Sequence, residues 1–178
     1  MIKIISSLAL VLILSSFVIL RNTGWERYYY YNQQLSVKFP SSPYENNNAT
    51  TWKSYSCQAD SIVLTFGFGP FSYLETNFTD TLEMMMQHSL ATLSQSKSNK
   101  IDTTSGILIG STKAKEIKYL LTEEGKTKEI RYIALLLHKS TVVGFYINAL
   151  TKNPAKISEI KNTFYNSYNF CSGKCRGR

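Results

Sequence analysis

Residues 115–150, KEIKYLLTEEGKTKEIRYIALLLHKSTVVGFYINAL, decide the fold. Three runs with strand character, Lys115 to Thr122, Thr127 to His138 and Thr141 to Leu150, follow one another across very short connections. Glu124-Gly125 has the chemistry of a tight hairpin, and Lys139-Ser140 joins the second pair. Strands joined this closely must run antiparallel, because a parallel pair needs a crossover of about a dozen residues. Within the middle run, Ile133 to Leu137 is apolar at every position. A strand apolar on both faces is covered on both sides, which predicts a central strand in a sheet with layers above and below.

Toward the C-terminus, Asn153-Pro154 places an N-cap before a proline at the first helical position, and Ile157, Ile160, Phe164 and Tyr168 form the apolar stripe of the helix that follows. Toward the N-terminus, Ile107 to Gly110 reads as a short strand, preceded by a polar stretch, Ser94 to Asn99, that ends a helix. That helix is expected to start at Asp80, with Glu83 in capping-box spacing, and to bury Leu82, Met85, Met86, Leu90 and Leu93. Phe71 to Phe78 is an aromatic loop. Further back, Ser61 to Phe68 and Trp52 to Cys57 read as a strand pair turning at Gln58-Ala59-Asp60. Glu45 to Thr50 is a polar loop. Leu35 to Phe39 alternates with period two, the pattern of a strand with one buried face, and Pro40 to Pro43 stop it. The order of strands, helix, strands, helix predicts an α+β domain, an antiparallel sheet flanked by helices. No internal repeat is present.

Ile4 to Leu20, IISSLALVLILSSFVIL, is uncharged over 17 residues and follows Lys3. This N-terminal apolar helix is expected to be an export signal. No small-x-small cleavage pattern precedes Leu20-Arg21-Asn22, so a signal peptide and a retained signal anchor both fit. The chain therefore divides into a leader (1–24), a body (25–170) and a short tail (171–178), and the body is expected outside the cytoplasm, periplasmic or secreted, with membrane contact through residues 4–20. Trp25 to Gln34, with Tyr28 to Tyr31 in a row, suits either a membrane interface or an edge strand packing its rings on the domain.

Charge narrows the partners. The whole chain carries +8, but without Lys3, Arg21, Lys174, Arg176 and Arg178 the residues 25–170 carry only +3. The lysines of the strand region alternate with Glu116, Glu123, Glu124 and Glu129, the mixed pattern of a solvated face, so nucleic acid is not expected as a partner. The tail, CSGKCRGR, concentrates cations and is a candidate hook for an anionic surface.

Enzyme signatures are missing. His88 falls on the first helix and His138 at a strand end, neither with a second ligand at zinc spacing, so no metal and no cofactor are expected. Gly110-Ser111 lacks the nucleophile-elbow pattern, and Glu123-Glu124 would point to opposite strand faces. Gly67-x-Gly69 before Pro70 lacks the dinucleotide-loop pattern and reads as a strand leaving the sheet. No small-molecule substrate is identified. Three cysteines leave the pairing open between Cys171–Cys175 and a long bridge from Cys57 to the tail; the local pair is preferred because Cys57 suits a buried thiol.

Tyr30 to Pro43 has the form aromatic-x-x-x-x-L-x-V-x-F-P-x-x-P, and the chain closes its last helix with Phe164, Ser167, Tyr168 and Phe170 as F-x-x-S-Y-x-F. With Gly106 and the strand Lys115 to Leu121 between them, the chain resembles the PsbP-like family, the extrinsic proteins of photosystem II and their bacterial relatives, over roughly Tyr30 to Phe170. The resemblance implies an α/β/α sandwich around an antiparallel sheet, a fold shared with a Ran-binding nuclear-import factor, and a non-enzymatic accessory or binding role. The expected function is an exported or membrane-anchored module engaging a protein partner of unspecified identity. Its candidate surface is Phe71, Tyr73 and Phe78 with Lys174, Arg176 and Arg178 of the tail. The alternatives are an enzyme centred on His88 or His138, which needs a pocket joining either histidine to a carboxylate, and a protein lying on the membrane surface.

Overall fold

The computed structural model describes residues 24–46, 51–70, 78–150 and 153–171. Ten strands and two helices follow in the order β1 (Glu26–Tyr30), β2 (Leu35–Phe39), β3 (Tyr44–Asn46), β4 (Lys53–Ala59), β5 (Ile62–Pro70), α1 (Phe78–Ser94), β6 (Asn99–Ile109), β7 (Thr112–Glu123), β8 (Lys126–His138), β9 (Thr141–Ala149), α2 (Pro154–Ser167) and β10 (Asn169–Phe170). Seven strands form one antiparallel sheet in the order β3-β4-β5-β9-β8-β7-β6, and β1-β2-β10 form a smaller one. The hairpin geometry follows the turn residues: Glu124 and Gly125 both have positive φ, 51° and 74°, which lets two residues close the β7–β8 turn in register with the strand twist.

The period-two strands sort their side chains onto two faces. One face carries Leu64 and Phe66 of β5, Ala134 and Leu136 of β8, and Phe145 and Ile147 of β9, all without exposed surface. The small sheet and α2 close over this face, adding Leu35, Val37, Phe39, Ile157 and Phe164. Aromatic rings meet at its centre: Phe145 lies 5.3 Å from both Phe66 and Phe164, and Phe39 lies 5.5 Å from Phe164. Each such ring contributes roughly 1.5–3 kcal/mol through burial. The other face carries Ile117, Tyr119 and Leu135, and α1 covers them with Leu82 and Met86, while Met85, Leu90 and Leu93 pack at the margin. The doubly apolar stretch of β8 thus sits between two layers, as its composition predicts.

The motifs that resemble PsbP-like proteins hold the layers together. Ser167 Oγ accepts from Lys38 N at 2.9 Å and donates to Phe164 O at 2.7 Å, tying the end of α2 to β2. Arg27 Nη1 donates to Ser167 O at 2.9 Å and to Ser36 Oγ at 2.8 Å, placing a cation at the negative end of the helix dipole. Asn153 caps the start of α2 by accepting from Lys156 N. Midway along α2, Lys161 reaches the buried Glu116 of β7 at 3.0 and 3.1 Å, and Tyr165 Oη donates to the same carboxylate at 2.9 Å. Burial and the Glu116 charge push the Tyr165 phenol well above its ordinary range.

Several boundaries differ from the sequence expectation. The helix begins at Phe78, so Asp80 lies inside its first turn, and Glu83 faces outward to pair with Lys115 at 2.9 Å and to accept from Gln87 at 2.9 Å. The strand expected at 107–110 extends back to Asn99, because β7 supplies a partner along almost its whole length whatever the polarity of Lys100 to Gly106. Tyr44 to Asn46 pairs with β4 at the sheet edge although Glu45 and Asn46 read as loop. Ala59 belongs to β4, and the turn falls on Asp60-Ser61. Trp25 to Tyr30 is resolved in favour of the edge strand: Trp25 lies 6.3 Å from Phe164, Tyr28 lies 5.9 Å from Phe39, and Tyr30 packs on Phe66 at 5.3 Å.

Candidate functional site

The seven-stranded sheet is wider than the helix laid on it. α1 packs mainly on β6, β7 and β8, so among the described residues no helix packs to the same extent on β9, β5 and β4 of that face. The sequence accommodates this with three glycines. Gly67 and Gly144 are directly paired across β5 and β9, and Gly69 follows on the same face of β5. The indole of Trp52 lies across them: a Cβ added at Gly67 would come within 2.6 Å of Trp52 Nε1, at Gly69 within 2.9 Å of Trp52 Cε3, and at Gly144 within 3.2 Å of Trp52 Cζ2. Gly67-x-Gly69 is therefore no exit from the sheet. It is a flat strip in mid-strand on which a ring rests, the use of strand glycine where another group approaches closely.

Between Trp52 and α1 this arrangement leaves an apolar cleft of about 830 Å³, walled by Trp52, Met84, Met85, Leu135, Val142 and Tyr146. Met84 is 48% exposed, so the wall reaches the protein surface. The polar groups at the cleft are His88 and Ser89, whose hydroxyl already donates to Met85 O at 3.0 Å, and the Tyr146 phenol, pushed up by burial. Beyond Trp52 the same face turns polar: the Ser56 and Thr65 hydroxyls lie 2.6 Å apart, and Asn46 Nδ2 donates to Ser56 Oγ at 2.8 Å. The uncovered surface is thus an apolar cleft with a hydroxyl-rich border.

A second pocket, about 380 Å³, opens on the opposite face at the same end of the sheet. There the 3-10 turn Tyr31–Gln33 and the end of β10 meet the ends of β5 and β8. His138 stacks against Phe170 with 3.6 Å between ring centroids, and its Nε2 is buried without a hydrogen-bond partner among the described residues. Burial and the adjacent Lys139 hold this imidazole below its ordinary value. Among the described residues no carboxylate lines either pocket, and neither His88 nor His138 is ion-paired. No group of three potential ligands for a metal occurs among the described residues.

Of the surface anticipated from sequence, residues 71–77, the Phe78 side chain, and Lys174, Arg176 and Arg178 lie outside the described residues, as does Cys175. The apolar run Ile4 to Leu20 lies outside them too; among those described, no helix is long and apolar enough to cross a membrane. Cys57 is a free, buried thiol, which burial holds above its ordinary pKa and so keeps protonated and unreactive.

No family model matches the sequence, and no curated protein matches it. The architecture does have counterparts. Cyanobacterial PsbP (CyanoP) from Synechocystis sp. PCC 6803 superimposes with a TM-score of 0.61 over 82% of this chain and 91% of that one, at 8% identity. The fold is PsbP-like. A protein of Bacteroides thetaiotaomicron matches with a TM-score of 0.53 and 12% identity over 82% of this chain, which spans about half (48%) of that longer protein. At these identities what is shared is the PsbP-like arrangement of layers. Of the residues that resemble the family, Leu35, Val37, Phe39, Phe164, Ser167 and Tyr168 are buried and specify packing, while Tyr30, Pro40, Pro43 and Phe170 are partly buried and Gly106 is exposed. The glycine strip was the signal for the cleft: small residues two apart on one strand face, with another at the facing position, announce a flat group lying on the sheet.

Proposed function

We propose that this chain is a non-enzymatic binding module outside the cytoplasm, and that it engages a protein partner through the cleft between α1 and the sheet. The observation that carries the reading is the half-covered sheet face, where Trp52 lies on glycine beside Met84 and Met85. Aromatic and methionine side chains with few charges at the centre, bordered by hydroxyls, are the composition of a protein-binding hot spot. Methionine adds adaptability to the shape it receives. Phe71 and Tyr73, in the segment between Pro70 next to the glycine strip and the start of α1, and Phe78, the first residue of α1, are proposed to extend this surface.

The tail cations Lys174, Arg176 and Arg178 are proposed to steer an acidic region of the partner toward the same end of the sheet, since charge of this kind acts mainly on encounter. A Cys171–Cys175 disulfide is proposed to fold the base of that tail; it is supported by the free, buried thiol of Cys57, which leaves the two tail cysteines to pair with each other. Export rests on Lys3 and the apolar run Ile4 to Leu20. A second reading, retention at the membrane, is favoured by the same run. Comparing membrane and soluble fractions for the intact chain and for one lacking residues 1–24 separates them: retention predicts that only the shortened chain is soluble at low salt.

The partner reading is tested by affinity capture from the source cells with the full chain, Met84→Glu, and Lys100→Glu as a surface control. A protein retained by the full chain and by the Lys100 variant, and reduced at least tenfold by Met84→Glu, is the expected result. Equal retention by Met84→Glu removes the cleft from the interface.

A further inference from the structure

The pocket at the other face of this end of the sheet has a chemistry that the cleft lacks. Its charged side chains are Lys53 and Lys139, and neither has a carboxylate within ion-pair distance among the described residues. Lys115, Lys118, Lys128, Lys156, Lys161 and Arg131 are each matched to an acid, whereas Lys38, Lys97, Lys100, Lys113 and Lys126 share the unpaired state of Lys53 and Lys139 among the described residues but do not line this pocket. Uncompensated positive charge facing into a concave space attracts anions, because low-dielectric walls focus the field. The remaining polar lining, including Asn32, Gln34 and Thr141, is amide or hydroxyl and offers donors.

His138 lines the same pocket. Its Nε2 is enclosed and has no hydrogen-bond partner among the described residues, so the imidazole senses an anion in the pocket through the electrostatic field and not through a bond to it. The ring is fixed in place by Phe170, which also sits 5.1 Å beneath the Lys139 ammonium. Phe170 is itself held by strand pairing to Leu35, and the next residue, Cys171, donates its N–H to Gln34 O at 2.8 Å. Gln34 and Lys139 both line the pocket with positive φ, 56° and 53°; at Lys139 this is the turn geometry of the two-residue β8–β9 hairpin. The volume, about 380 Å³, is at the small end of the range for sites that take small molecules.

We propose that this pocket is a binding site for a small anionic ligand bearing a carboxylate or phosphate group, received between Lys53 and Lys139 with its body along Phe170, beside the His138 imidazole. The site is independent of the cleft and of any protein partner there. The test uses the full chain in mild detergent, with imidazole nitrogens observed by NMR while inorganic phosphate, succinate or chloride is added at constant ionic strength. The two histidines provide an internal control. Saturable displacement of the His138 signals by phosphate or succinate, with His88 unmoved, is the expected result, and the relative affinity of the two probes identifies which group the site prefers. The Lys53→Gln/Lys139→Gln variant is expected to weaken that binding at least tenfold, while Lys97→Gln/Lys100→Gln, which removes two exposed lysines elsewhere, leaves it within twofold. Displacement that fails to saturate, that chloride reproduces, or that falls equally in both double variants overturns the proposal.

Discussion

The two faces of the seven-stranded sheet are finished differently. Under α2 and the small sheet, Phe39, Phe66, Phe145 and Phe164 leave no exposed surface, and even the buried charge of Glu116 is matched by Lys161 and Tyr165. Under α1, the described residues pack over β7 and β8; beyond them glycine replaces side chains on β5 and β9, and the indole of Trp52 lies on the glycines. A sheet face needs cover to be stable in water. The filled face therefore holds the domain together, and the half-filled face is where a further surface is proposed to be accommodated.

Mutations separate the two roles. The largest effect is expected on the filled face: Phe145→Ala should lower unfolding free energy by about 3–5 kcal/mol, since it opens a cavity among four other aromatic rings. Chemical denaturation measures it, and a loss below about 1 kcal/mol would mean that this face is not the core. Glu116→Ala should cost about 2–4 kcal/mol, because it leaves Lys161 largely buried without its carboxylate. A double-mutant cycle with Lys161→Met isolates the pair: the second change should recover part of the loss, and strict additivity would show that the two do not interact.

On the half-filled face the expected cost is smaller and depends on Trp52. Gly67→Ala should lower stability by about 1–3 kcal/mol by driving a methyl group against the indole, with a shift in tryptophan fluorescence. In a Trp52→Ala background the same change should be nearly neutral. An equal cost in both backgrounds would point to the strand backbone in place of the ring contact. The smallest effect concerns His138, at the end of the filled face. Its folded-state pKa lies below the ordinary 6.5, so as pH falls past that value the unfolded chain takes up this proton before the folded one does, and stability declines. His138→Gln should flatten the stability profile between about pH 6.5 and the lower folded pKa; identical slopes in both proteins would refute the assignment.

The filled face was largely legible in the sequence, because its signals are local. Period-two alternation in Leu35 to Phe39, the apolar run Ile133 to Leu137, the cap at Asn153-Pro154 and the turn at Glu124-Gly125 each report a preference that tertiary structure reinforces. The half-filled face was not, because its signal is a relation between strands. Gly67, Gly69 and Gly144 are unremarkable one at a time, and their meaning depends on the β5–β9 register and on a tryptophan 15 residues before the first of them. Strand β6 escaped for a similar reason: Lys100 to Gly106 has little strand character of its own and is held by its pairing with β7. The anticipated histidines show the limit of residue type alone, since both border a pocket but neither meets a carboxylate among the described residues.

The central claim is that the cleft beside Trp52 receives a protein partner. Placing a photo-crosslinking residue at position 84 of the full chain, in the source cells, tests it directly, with position 100 on the exposed edge strand as the control. The account predicts a discrete adduct with one other protein from position 84, absent from position 100 and lost when Trp52→Ala is added. No adduct from position 84, or the same adducts from both positions, would contradict it.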